Sequence, residues 1–133
     1  MMRYWGLDFI RCLHCKNYPL KLIPLETIEE DVDTSGLEFP LCRNYCAYLD
    51  KPIKQGETYP CEKCLRIGIK EGVLYCPKCK RWYPIKNGIV YLLRDNKRRK
   101  ESDIEFLKKW KDRLPKEIVY EGLPYNLSST GND

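Results

Sequence analysis

Four close pairs of cysteines, Cys12/Cys15, Cys42/Cys46, Cys61/Cys64 and Cys76/Cys79, set the terms on which this chain can fold. Thiols separated by two or three residues bring two soft donors onto one turn, and two such turns supply the tetrahedron that Zn²⁺ prefers. No apolar run approaches the length of a membrane span, and the opening Met1–Leu13 has no small-residue cleavage site. A soluble, cytoplasmic protein is therefore expected, in which metal knuckles are favoured over a disulfide framework. Disulfides stay the runner-up for the inner pairs, Cys42, Cys46, Cys61 and Cys64. Spacing alone leaves the connectivity open. It favours sequence neighbours, whereas joining the outer pairs closes a long loop at an entropic cost that grows only logarithmically.

With 43% hydrophobic and 12% aromatic residues in 133 positions, the chain is too apolar for disorder and has room for one compact unit or two small ones. The formal charge of +5 overstates its basicity, because each zinc held by four thiolates carries a net charge of about −2. The first half is acidic and the second basic, with Lys97, Arg98, Arg99 and Lys100 the densest run. Such a run is a solvated linker or, in a zinc-ribbon RNA-binding protein, a contact to phosphates. Groups for catalysis are scarce. The single histidine, His14, sits inside the first knuckle and is expected to point outward, no Gly-rich phosphate loop occurs, and no thioredoxin-like context surrounds a C-x-x-C pair. A non-enzyme with no small-molecule substrate is the expectation.

Tyr4, Trp5, Leu7, Phe9 and Ile10 form a short, mainly apolar segment compatible with a turn of helix or a strand. Tyr18–Pro24 alternates as a strand, and the acidic stretch Glu26–Asp33 reads as a solvated connection. Pro40, Pro52 and Pro60 argue against long elements in the middle, where Cys42 and Cys46 would share one face of a helical turn. Ile67–Tyr75 predicts a hairpin around Gly72 leading into Cys76. A turn at Lys86–Gly88 precedes Ile89–Leu93, a strand without a polar face, which has to be covered on both sides by this chain or by another. Ser102 and Glu105 form a capping box for a helix that carries Ile104, Leu107, Trp110 and Leu114 on one side and stops at Pro115.

Cys76-Pro77-Lys78-Cys79, with Arg81-Trp82-Tyr83-Pro84-Ile85 and Gly88-Ile89-Val90-Tyr91-Leu92-Leu93 after it, resembles the Trm-one-twelve family, the small zinc-binding activator subunit shared by tRNA, ribosomal RNA and release-factor methyltransferases. Leu7-Asp8-Phe9-Ile10-Arg11-Cys12-Leu13-His14-Cys15, followed by Pro19-Leu20, is similar to its other half-site. The family commonly has Gly where Lys80 stands and Pro where Val90 stands. The resemblance implies that Cys12, Cys15, Cys76 and Cys79 hold one zinc, that S-adenosylmethionine sits in a partner, and that the subunit forms heterodimers with class I methyltransferase catalytic subunits. RNA contact is then expected only within the complex. The expected fold is α+β, a small zinc-ribbon-like domain from residues 1–25 and 65–95, with a cysteine-containing insertion at 26–64 and a C-terminal helix and tail at 96–133. Tyr83, Pro84, Ile85, Gly88, Ile89, Val90, Tyr91, Leu92 and Leu93 are the expected partner-binding residues. Cys42, Cys46, Cys61 and Cys64 are expected to hold a second zinc or to form disulfides.

Overall fold

The computed structural model describes residues 2–128. Met2–Arg3 is a short strand, β1, that turns directly into a 3₁₀ helix at Tyr4–Phe9. After the first knuckle the chain runs as β2 (Lys21–Glu29). The following segment holds two paired two-residue strands, β3 (Tyr45–Cys46) and β4 (Lys51–Pro52), and a short helix, α1 (Cys61–Leu65). β5 (Ile67–Tyr75) enters the second knuckle, and β6 (Trp82–Lys86) and β7 (Ile89–Val90) leave it. Two helices, α2 (Lys100–Trp110) and α3 (Lys116–Val119), come after.

β5 is the hub of an antiparallel sheet. Along one side it pairs with β2, and along the other with β6 near the knuckle and with β1 further on. Because Lys21 and Trp82 both register with Tyr75, the two knuckles sit at the same end of the sheet. β6 and β7 are joined by Asn87 and Gly88, both left-handed at φ 52° and 80°, the geometry that lets a two-residue hairpin follow the sheet's twist. The result is a small, curled, zinc-ribbon-like α+β fold.

The expected hairpin at Ile67–Tyr75 is instead one continuous strand. Gly72 is in that strand because β2 passes too close for a side chain: a Cβ there would lie 2.8 Å from the Ile23 carbonyl oxygen. Next to it the β2–β5 register slips, leaving Leu25 on β2 and Lys70 on β5 without Cα partners. The slip is why Ile69 and Leu74, an odd number of residues apart, share one face of the sheet. It also continues β2 to Glu29, through the first part of the acidic stretch expected to be a connection.

Two clusters cover the two faces. On one, Met2, Leu7, Leu20, Ile69, Leu74, Tyr83 and Ile85 pack around buried Cys12 and Cys76. On the other, Phe106, Leu107, Leu114, Ile118 and Val119 of the C-terminal helices and the turn between them cover Leu25, Val73, Tyr75 and Trp82. The Trp82 and Phe106 rings stack at 5.8 Å. α2 begins at Lys100 with Arg99 as a cap that makes no side-chain bond, so the expected capping box is not formed. Ser102 instead accepts from Lys86 Nζ at 2.7 Å, a partner brought by the sheet. Buried Asp103 lies where the sequence pattern placed none: its Oδ2 is 2.8 Å from Nη2 of buried Arg98, close but not aligned as a hydrogen bond. Arg98 also donates to the Trp82 carbonyl at 2.6 Å and lies over the Trp82 ring. After α3 the chain returns beside β6. Trp82 N–H donates to the Leu123 carbonyl, Leu123 N–H to the Lys80 carbonyl, and the Trp82 indole to the Tyr125 carbonyl. No helix among the described residues is long and apolar enough to cross a membrane.

Candidate metal centre and docking edge

The two outer knuckles are built alike. Cys12 accepts at its carbonyl from Lys16 N–H, and its own N–H donates to the Asn17 carbonyl; Cys76 repeats this with Lys80 and Arg81. Each turn closes through a lysine in the left-handed region, Lys16 and Lys80, both at φ 64°. Being held at the same end of the sheet, the knuckles face one another, and the sulfurs of Cys12, Cys15, Cys76 and Cys79 all lie within 4.8 Å. Cys12 Sγ is 3.5 Å from Cys79 Sγ, and Cys15 Sγ is 3.4 Å from Cys76 Sγ. Tetrahedral zinc with Zn–S bonds near 2.3 Å sets its sulfurs about 3.8 Å apart, so the donor set fits such an ion with little adjustment.

The electrostatics agree with that fit. Burial opposes charge on Cys12, but the N–H groups of Cys15 and His14 and the Tyr83 hydroxyl, 3.4 Å from the sulfur, outweigh it and bring the thiol down to about 6. Burial pushes Cys76 and Cys79 up, and the Cys15 sulfur beside Cys76 and the Cys12 and Cys76 sulfurs beside Cys79 add to it. Cys12 ionises readily while Cys76 and Cys79 resist, a conflict that a divalent cation relieves by accepting several thiolates at once. His14 is exposed and stands outside the four-sulfur cluster. Arg81 grips Asp95 with two guanidinium nitrogens while lying beside Cys79, so one cation there serves both.

The residues expected at a docking surface divide. Tyr83, Pro84, Ile85 and Gly88 are buried, and Tyr83 serves the sulfur cluster. Ile89–Leu93 is regular strand only at Ile89–Val90, with Tyr91 N–H still donating to the Pro84 carbonyl. Its side chains alternate. Val90 and Leu92 pack against the cluster around Cys12, whereas Ile89 is 56% exposed and Tyr91 and Leu93 are also exposed. Of the two sources of cover expected for this segment, its own chain supplies one side only: α2 packs over Trp82 and does not extend over Ile89, Tyr91 and Leu93, whose side chains stay exposed.

Asp8 is a residue whose role the sequence pattern did not reveal. Buried in the 3₁₀ helix, its carboxylate accepts from the N–H groups of Arg43, Asn44 and Tyr45 and from the Tyr18 hydroxyl. It anchors the middle segment, and the turn it organises leads into β3 rather than the expected helical turn across Cys42–Cys46. The only signal was an acidic residue inside an apolar run. Cys42, Cys46, Cys61 and Cys64 line one small cavity and are free thiols, with burial, the Asp8 charge near Cys42 and their mutual charges pushing Cys42 and Cys64 up to about 12. In the basic run, Arg98 is spent internally, while Lys97, Arg99 and Lys100 are exposed.

A family model described as Trm112p-like protein matches residues 7–88, spanning both outer knuckles and everything between them. No curated protein matches the chain.

Proposed function

The chain belongs to the Trm112p-like family, and on that premise we propose that it is a non-catalytic, zinc-binding subunit that docks on class I methyltransferases and activates them. The family supports a methyltransferase-activator role in general. The finer reading is that the partners use S-adenosylmethionine to modify tRNA, ribosomal RNA and a translation release factor in the cytoplasm. In it, residues 1–25 and 65–95 form the activator unit, Cys12, Cys15, Cys76 and Cys79 hold a structural zinc, and 26–64 and 96–133 are additions to it.

The observation that carries this reading is the bare outer edge beside the sulfur cluster: among the described residues β7 has no strand beyond it, and Ile89, Tyr91 and Leu93 are exposed. An apolar strand edge invites pairing with a partner sheet, and its flank adds an apolar contact. Activation is then a matter of mass action, since a subunit that binds only the folded, cofactor-competent form of its partner raises that form's population. An RNA-binding alternative is weaker because Arg98, the centre of the basic run, is buried against Trp82.

Co-expression with class I methyltransferases tests the proposal. The partner's solubility and S-adenosylmethionine binding should rise with this chain present, and the complex should survive a rise in salt that would dissolve a phosphate-based contact. A chain that binds RNA alone with a steep salt dependence, and no methyltransferase, would sink it.

A further inference from the structure

Cys42, Cys46, Cys61 and Cys64 take no part in the outer sulfur cluster or the docking edge. Cys42 comes from the loop before β3, Cys46 from β3 itself, and Cys61 and Cys64 from the first and fourth residues of α1. Two donors thus lie on the stretch that enters a short hairpin and two on a helix, so two pieces of backbone separated in sequence converge. All four line a single cavity of about 10 Å³ whose other walls include Tyr4, Trp5, Tyr59 and Leu65. That is room for one small particle, and thiols give a water molecule few firm partners, whereas they are the preferred ligands of a soft divalent ion.

The segment has little else to fold on. Its strands are two residues each and its helix five, and its large apolar side chains Leu37, Phe39 and Leu49 are exposed. Its buried hydrophobic residues are largely the thiols themselves, Cys46 and Cys64, with Tyr59 and Leu65. Units this small hold one conformation when a metal or a disulfide staples them, and all four cysteines are unpaired.

We propose that Cys42, Cys46, Cys61 and Cys64 bind a second thiolate-preferring divalent ion, zinc foremost, which orders residues 42–64 against the Asp8 anchor. Each thiol that binds gives up its proton to solvent. Among the described residues only the outer four have all their sulfurs within 4.8 Å, so the inner site closes on its ion rather than waiting preformed. The inner ion is accordingly the more weakly held and the first to leave.

The test is metal counting on the full chain, purified anaerobically without added reductant. Two zinc ions per chain are expected, leaving in two separate phases as a chelator is titrated. The Cys42→Ser/Cys64→Ser variant should retain one, and after cobalt exchange should lose about half of the thiolate-to-cobalt absorbance. Should that variant fail to fold, the wild-type count and the protection of the inner thiols from alkylation decide alone. One zinc per chain, with the inner thiols alkylated freely or recovered as two disulfides, overturns this site and leaves the outer one standing. A chain folded with no metal overturns both.

Discussion

Lys16 and Lys80 follow the second cysteine of their knuckles with left-handed backbone, which costs an L-residue about 1–2 kcal/mol and glycine almost nothing. The Gly common at the position of Lys80 in the family therefore has a physical reason. Glycine gives back roughly 0.5–1 kcal/mol in chain entropy, so Lys16→Gly with Lys80→Gly should stabilise the metal-loaded protein by about 1 kcal/mol, read as a few degrees in thermal melting. The exposed Lys80–Glu121 ion pair lost with it contributes little. Asp8 supplies the opposite case. Burial disfavours its charge, yet the N–H groups of Arg43, Tyr45 and Asn44 and the Tyr18 hydroxyl outweigh that and hold its carboxyl below the ordinary value. A depressed native pKa contributes stability that is complete above the unfolded value near 4 and disappears as pH falls through the native value. Asp8→Ala should cost about 2–3 kcal/mol at neutral pH by orphaning the Arg43–Tyr45 amides. The gap between variant and wild type, measured by urea melts, should narrow below about pH 4. Metal sites common to both proteins cancel in that difference, so a gap unchanged down to pH 3 would refute the charged anchor.

Ile89 and Leu92 sit on opposite sides of the same edge, and the side each faces separates docking from folding. Ile89 is exposed, so Ile89→Asp should leave circular dichroism and zinc content intact while abolishing association with a methyltransferase. A carboxylate buried in an apolar interface costs several kcal/mol, enough to dissociate a micromolar complex. Leu92 packs against the cluster around Cys12, so Leu92→Asp should destabilise the chain on its own. If Ile89→Asp stays folded and still activates, this edge is not the docking surface. Sequence periodicity could place these residues on an apolar run but could not assign the sides, because the covering element lay elsewhere. Local signals were legible: each knuckle from its own spacing, and the turn at Asn87 and Gly88 from its residue types. Features set by distant partners were not. Gly72 reads as a turn until the Ile23 carbonyl is known to press on it, and Ser102 reads as a cap until Lys86 is known to reach it. The outer-with-outer joining of the knuckles came from family resemblance, since spacing favoured neighbours and only the shared registration on β5 brings Cys12 to Cys79.

At the scale of the molecule, the family match ends at residue 88, yet the fold does not end there. The sheet has two apolar faces. The Cys12 side is closed by the N-terminal 3₁₀ helix and the sulfur cluster, and the Trp82 side, among the described residues, by the segment beyond residue 95. Phe106, Leu107, Leu114, Ile118 and Val119 each gain about 1.5–3 kcal/mol from burial, a gross contribution of the same order as the ~5–15 kcal/mol net stability of a typical domain. The returning chain adds backbone bonds from Leu123 to Lys80 and Trp82, at the root of the second knuckle. A chain cut after Asp95 should therefore lose more than a surface appendage. Expressed alone it should aggregate or bind a hydrophobic dye strongly, and the Cys76–Cys79 half-site should lose zinc to a chelator faster than in the full chain. Gly122→Ala gives the same argument with one methyl group. A Cβ there would meet the Ile118 carbonyl oxygen at 2.5 Å and Trp82 Cδ1 at 2.7 Å, both inside the closed face, so the returning segment should lift from Trp82 and thermal stability should fall. A truncated chain that stays monomeric, binds no dye and keeps its zinc as tightly as the full chain would show that the metal end alone holds the sheet. The C-terminal helices would then be free for another role.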